Sequence, residues 1–203
     1  KTVGGHYASP DLGPAFHAYA AGGPADDHEG TCEADAIARV RQGMRSMMRL
    51  GSAWYDVETQ ITAVTEKGLD PRNFILCTDD CHSGTLVNDG HMNRVVRHAI
   101  DCGCDPLVAI QMATINTATH FGMERELGSI APGRRADLVL TPDLAEWRAE
   151  LVVARGHVVA RALAEILLRD PAGIDDEVEI VGGDREGLEQ HRRLLDAGGC
   201  QVH

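Results

Sequence analysis

Three side chains far apart in the chain, His6, His28 and Asp79, follow segments that run into turns, and their types suit a divalent cation. Imidazole nitrogen and carboxylate oxygen together are donors that zinc, iron and manganese accept, in an open site with room for water. Water on such a cation loses its proton near neutral pH and becomes a nucleophile without a strong base. A carboxylate beside it then carries the proton to a leaving group, a role open to Asp79 or to its neighbour Asp80. These are the parts of a hydrolytic site. Bland readings stand beside them: a lone His at a strand end is more often hydrogen-bonded than a ligand, and an Asp-Asp pair at a turn is often just capping. Of the histidines in the polar stretch after Asp79, only His82 is read as reaching a substrate. Cys102-Gly103-Cys104 has one intervening residue, unlike a zinc-ribbon or thioredoxin pair, and reads as buried or free thiols. There is no glycine-rich phosphate loop and no Gly-x-Ser-x-Gly elbow.

Such a site needs elements that bring distant residues to one place. Short apolar stretches alternate with helical patterns over the first two thirds, which predicts an α/β fold with a parallel sheet. Ligands in such folds gather at the C-terminal ends of strands. An opening strand is expected to end at Gly5-His6, followed by a helix near Phe16 to Ala21. Ala25 to His28 is too polar to assign as a strand on pattern alone. Thr31 is placed as the cap of the next helix, with Glu33 and Asp35 in its first turn. Ile37, Val40, Met44, Met47 and Met48 form one apolar stripe at helical spacing, read as core packing and broken at Arg49 to Ala53. A helix from about Val57 to Lys67 ends at Gly68, and Asn73 to Thr78 is the clearest buried strand, running into Asp79-Asp80. Beyond a polar loop, Cys81 to Gly90, helices are expected over Met92 to Cys102, Pro106 to Thr114 with Asp105 as cap, and Thr117 to Phe121. Ala136 to Thr141, Glu150 to Ala154 and Val158 to Ala160 read as a separate small sheet. The chain therefore divides at 1–127, 128–160 and an unassigned tail, 161–203, helical or disordered, with a possible helix over Ala162 to Arg169 and a charged stretch from Glu186 to Leu195.

A chain of 203 residues that is 43% hydrophobic can bury a sizeable core. Thirty-one acidic against 19 basic residues, a net charge of -12, argue against nucleic acid or an anionic membrane as partner. No apolar run approaches a membrane span. Six cysteines are too sparse for a disulfide scaffold, so a reducing cytoplasm is expected. The chain opens on Lys1, inside what looks like a strand, and reads as part of a longer protein.

Taken together, Gly5-His6, Asp26-Asp27-His28-Glu29, Ile75-Leu76-Cys77-Thr78-Asp79-Asp80 and Gly128-Ser129-Ile130-Ala131-Pro132-Gly133-Arg134-Arg135-Ala136-Asp137-Leu138-Val139-Leu140 resemble the amidohydrolase superfamily. With Met112-Ala113-Thr114-Ile115-Asn116, the resemblance is closest to its adenine deaminase family and spans Lys1 to Ala160. It implies a partial TIM (β/α)8 barrel, strands five to eight, followed by a small β-sandwich segment, with divalent manganese, iron or zinc at the barrel's C-terminal face. His6 and His28 would be metal ligands after strands five and six. Asp79 would be ligand and proton carrier after strand eight, with Asp80 beside it, while Glu29 and His82 would touch the substrate. The implied reaction converts adenine to hypoxanthine and ammonia in cytoplasmic purine salvage. The implied partners are a small purine and further copies of the complete protein, with no nucleic acid or membrane. The family's His-x-His pair and its acidic ligand from strand four would precede Lys1, so the isolated fragment is expected to be inactive. Two other readings stay open: an amidohydrolase for a cyclic amide or N-acyl substrate, and a non-catalytic half-barrel.

Overall fold

The computed structural model describes residues 1–161. Two compact units partition them: Lys1–Arg135 with Thr141–Arg148, and Ala136–Leu140 with the chain from Ala149 onward. The first unit is built on a parallel sheet of order β1 (Asp26–Asp27), β2 (Arg45–Arg49) and β3 (Phe74–Cys77). Its register sets Asp27 beside Ser46 and Arg49 beside Cys77, so the strands' C-terminal ends lie together. Helices α1 (Pro14–Ala21), α2 (Glu33–Arg41), α3 (Val57–Gln60), α4 (Thr62–Thr65), α5 (Ser83–Asn88), α6 (Met92–Asp101), α7 (Pro106–Ala113) and α8 (Ile115–His120) surround it. Met48, Phe74 and Leu76 pack against Ala36, Ile61, Val95, Ala109 and Met112 in one core. Each such large apolar side chain contributes about 1.5–3 kcal/mol by leaving water.

The expected α/β layout is therefore observed as three parallel strands, and the strand Asn73 to Thr78 and the helices after Gly90 stand where the pattern puts them. Asp105 caps α7 by accepting from the amides of Leu107 and Val108 at 2.9 and 3.2 Å. Several elements differ from expectation, among them the helix expected from Val57 to Lys67, which is broken at Ile61 into α3 and α4. No strand forms over Lys1 to His6. That segment has one main-chain tie to β1's approach, Ala25 N to Val3 O, and aspartate side chains take its next donors. The polar Ala25 to His28 does hold a strand, Asp26–Asp27. The methionine stripe is split: α2 stops at Arg41, Gly43 takes the left-handed conformation (φ 84°), and Met47 and Met48 belong to β2. A spacing of three and four across a turn mimics a helix face, and Met44 and Met48 are both buried. Finally, the polar loop carries α5, and the cap of α2 is Cys32, while Thr31 donates through its amide to Asp35 at 2.9 Å.

The second unit is antiparallel, in the order β4 (Leu138–Leu140), β5 (Leu151–Ala154), β6 (His157–Arg161). Asp137 accepts from the Arg155 amide at 2.6 Å, pinning the β5–β6 turn. The small sheet is as expected; the helix over Ala162 to Arg169 and the charged stretch from Glu186 lie outside the described residues. Among the described residues, no helix is long and apolar enough to cross a membrane.

Candidate metal centre

Two buried aspartates of β1 hold the segment that carries His6. Asp26 accepts from the Gly5 amide at 3.3 Å and pairs with His120 of α8, Oδ2 to Nε2, at 2.6 Å. Asp27 accepts from the Tyr7 amide at 2.7 Å, so both neighbours of His6 are tied to the strand. Asp27 also receives the Tyr19 hydroxyl at 2.6 Å, the Glu29 amide at 3.0 Å and Arg39 Nε at 2.6 Å. Burial opposes its charge, but the bonds from Tyr19 and Arg39 outweigh it and hold the carboxyl below the usual 3.8. The same burial and the Asp27 charge push the Tyr19 phenol up. Gly5 is required by space: a Cβ there would strike the Tyr19 hydroxyl and the Asp26 carbonyl.

With His6 fixed this way, three donors converge. His6 Nδ1 lies 3.2 Å from His28 Nε2, and Glu29 Oε1 lies 3.1 Å from the first and 3.3 Å from the second. All three atoms fall within 4.8 Å of one another. His28 and Glu29 follow β1 directly, which places both at a strand's C-terminal end. Two imidazole nitrogens this close need a hydrogen between them, and a cation could take its place. The donor chemistry fits zinc, iron or manganese. The His6 side chain is 69% exposed, which leaves room for water and other ligands.

Arg49, at the end of β2, joins this cluster to the next acid. Its side chain is 1% exposed, and Nη1 touches Glu29 Oε1 at 3.1 Å and Asp79 Oδ2 at 3.0 Å. On its other edge Nε donates to Asp56 Oδ2 at 2.9 Å. Nη2 is 2.8 Å from that same oxygen but is not aligned for a hydrogen bond, so its N–H groups lack a sound acceptor. Trp54 covers the guanidinium at 4.7 Å. Burial alone would lower the pKa of Arg49; the bonds to Asp79 and Asp56 reverse that and raise it. Burial raises Asp56 in turn, against the pull of Arg49.

His6 and His28, expected as ligands, thus meet. Glu29, expected as a substrate contact, meets them as a third donor. Asp79, expected as a ligand, is outside the three-donor cluster and connected to it through Arg49. It is 23% exposed and sits in the left-handed region at φ 56°. Asp80 is exposed, and its carbonyl accepts from the Ser52 amide at 2.8 Å. His82 caps α5, its Nδ1 accepting from the Thr85 amide at 3.4 Å. Arg49 was not singled out by sequence reasoning; the available signal was a charged residue at the end of an otherwise buried run and just before Gly51. The cysteines Cys32, Cys77, Cys81, Cys102 and Cys104 are free, as expected.

The amidohydrolase family model matches residues 26–181. The adenine deaminase of Ruegeria pomeroyi is 89% identical over 160 residues, covering 79% of this chain and 26% of that protein. The adenine deaminase of Rubrobacter xylanophilus is 48% identical over 188 residues, covering 90% of this chain and 31% of that protein. The chain thus spans between a quarter and a third of the length of these curated relatives. Among solved structures, the β-aspartyl dipeptidase of Fervidobacterium islandicum aligns with a TM-score of 0.57 at 16% identity, over 76% of this chain and 46% of that one. That likeness concerns the fold.

Proposed function

The chain belongs to the amidohydrolase family, and from that membership we propose that it supplies part of a metal-dependent adenine deaminase, which converts adenine and water to hypoxanthine and ammonia. The names and high identity of its relatives support this choice of substrate. In this reading β1–β3 are strands of a (β/α)8 barrel whose C-terminal face holds the chemistry. The observation that carries the proposal is the convergence of His6 Nδ1, His28 Nε2 and Glu29 Oε1 within 4.8 Å.

His6, His28 and Glu29 would hold the cation. A divalent ion held there supplies a water acidic enough to act as nucleophile at neutral pH. Asp79, held at one oxygen by Arg49, takes the proton released as the new C–O bond forms at C6. It passes that proton to the amino nitrogen as the C–N bond breaks, so that ammonia leaves. Glu29 directs its ion pairs through Oε1, which leaves Oε2 to hydrogen-bond the purine. Asp80 and His82 stand next along the chain and border the same end of the sheet. The free thiols fit a reducing cytoplasm.

Ammonia release from adenine by the full-length native polypeptide, with bound metal measured in parallel, tests this. Expected is turnover that His6→Ala and His28→Ala reduce by about 10²-fold or more together with metal content. Stoichiometric metal with no release from adenine would reject the substrate, and ring-opening of a cyclic amide by the same sample would replace it.

A further inference from the structure

Resting on the deaminase reading, we propose that Arg49 is a positioning residue that fixes the metal-side carboxylate of Glu29 and the proton-carrying carboxylate of Asp79 at a set separation. Its buried guanidinium is itself anchored at the edge away from those acids. Asp56 takes Nε through its side chain, and its amide donates to the Arg49 carbonyl at 2.9 Å, so main chain and side chain are clamped together. Trp54 lies across the guanidinium plane and limits its rotation. Of the two terminal nitrogens, Nη2 stays beside Asp56 without an aligned hydrogen bond, and Nη1 contacts both Glu29 and Asp79. An arginine needed only for packing would be neutralised by Asp56 alone.

The charges agree with this arrangement. Three carboxylates, Glu29, Asp56 and Asp79, surround one guanidinium, leaving two formal negative charges, the complement of one divalent cation. Lysine could not reproduce the geometry, because a single ammonium cannot donate to Asp56 as Nε does while placing a separate nitrogen, Nη1, against two other acids. A displacement of about 1 Å in either carboxylate is expected to cost on the order of 10²-fold in rate.

The test uses the full-length protein with cobalt(II) in place of the native metal, because the cobalt visible spectrum reports ligand geometry independently of turnover. Arg49→Met is expected to retain cobalt, shift its spectrum, and lower kcat about 10²-fold with KM changed less than about threefold. Arg49→Lys should recover no more than about a tenth of the lost rate. Asp56→Asn is the second variant, since the Asp56 side chain makes no cap bond to α3 and touches neither Glu29 nor Asp79. It should show the same spectral shift with a loss of kcat of about tenfold. Unchanged spectra and kcat within about twofold in both variants would overturn the proposal, and if Arg49→Met does not fold, an unchanged Asp56→Asn overturns it alone. In that event, loss of cobalt on His6→Ala would leave the metal reading standing. Retention of cobalt by His6→Ala would sink that reading and the positioning role with it.

Discussion

Two pairs of consecutive aspartates belong to strands of one parallel sheet, Asp26-Asp27 forming β1 and Asp79-Asp80 following β3 by one residue. The first pair is buried and committed: Asp27 receives four bonds and Asp26 two, from Gly5, Tyr7, Tyr19, Glu29, Arg39 and His120. The second pair is open. Asp79 receives a bond from Arg49 alone, in a left-handed backbone conformation, and the Asp80 side chain has no hydrogen bond among the described residues. On the proposed deaminase reading, the same dipeptide is thus scaffold in one case and reagent in the other. What separates them is how many donors the neighbouring chain has already aimed at each oxygen. A carboxylate with every lone pair engaged cannot carry a proton, whereas one with a free oxygen can.

The sharpest separation should come from Asp79→Asn: turnover falls about 10²- to 10⁴-fold while the thermal midpoint stays close to that of the wild type. Steady-state kinetics beside a melting curve checks both halves, and a large loss of stability would move Asp79 into the scaffold class. Asp27→Ala should do the reverse. It strands the buried Arg39 and should cost about 3–5 kcal/mol of folding free energy in a denaturant titration. A cost below about 1 kcal/mol would mean that Arg39 finds another partner and the pair is not structural in the sense argued here.

Smaller effects probe the link from scaffold to site. Gly5→Ala forces the His6 segment off Asp26 and Tyr19, and metal affinity should drop about 10- to 100-fold as read by competition with a chelator. Unchanged affinity would show that His6 is not held through its neighbours. The smallest is a pH effect. Because the bonds from Tyr19 and Arg39, working against burial, hold Asp27 below 3.8 when folded, its contribution to stability is complete above that value. It is lost as the pH falls through the folded value. Acid unfolding of Asp27→Asn should therefore show a shallower loss of stability below about pH 4 than wild type. Parallel curves for the two proteins would remove Asp27 from the acid-labile set.

The comparison also explains what was legible in the sequence. Phe74 to Cys77 stands out because a short continuous apolar run followed by two acids has few other uses in an α/β fold. The meeting of His6 and His28 could be anticipated from their places after expected strands, even though the first of those strands does not form. β2 was hidden because Arg45-Ser46-Met47-Met48-Arg49 interleaves polar with apolar residues while burying Ser46 and Arg49 by pairing them with Gln60 and Asp56. No periodicity reports that kind of burial, and Arg49 was missed with it. That Glu29 meets the two imidazoles was hidden for a similar reason. Its approach to His6 depends on Asp27 taking the Glu29 and Tyr7 amides at once, a contact between segments about 20 residues apart.

The account stands or falls on where a metal goes. X-ray data collected at the absorption edge from crystals of the zinc- or manganese-loaded protein locate it directly. An anomalous peak about 2.0–2.2 Å from His6 Nδ1, His28 Nε2 and Glu29 Oε1 is the predicted result. A fully loaded protein whose peak lies away from both imidazoles would contradict it.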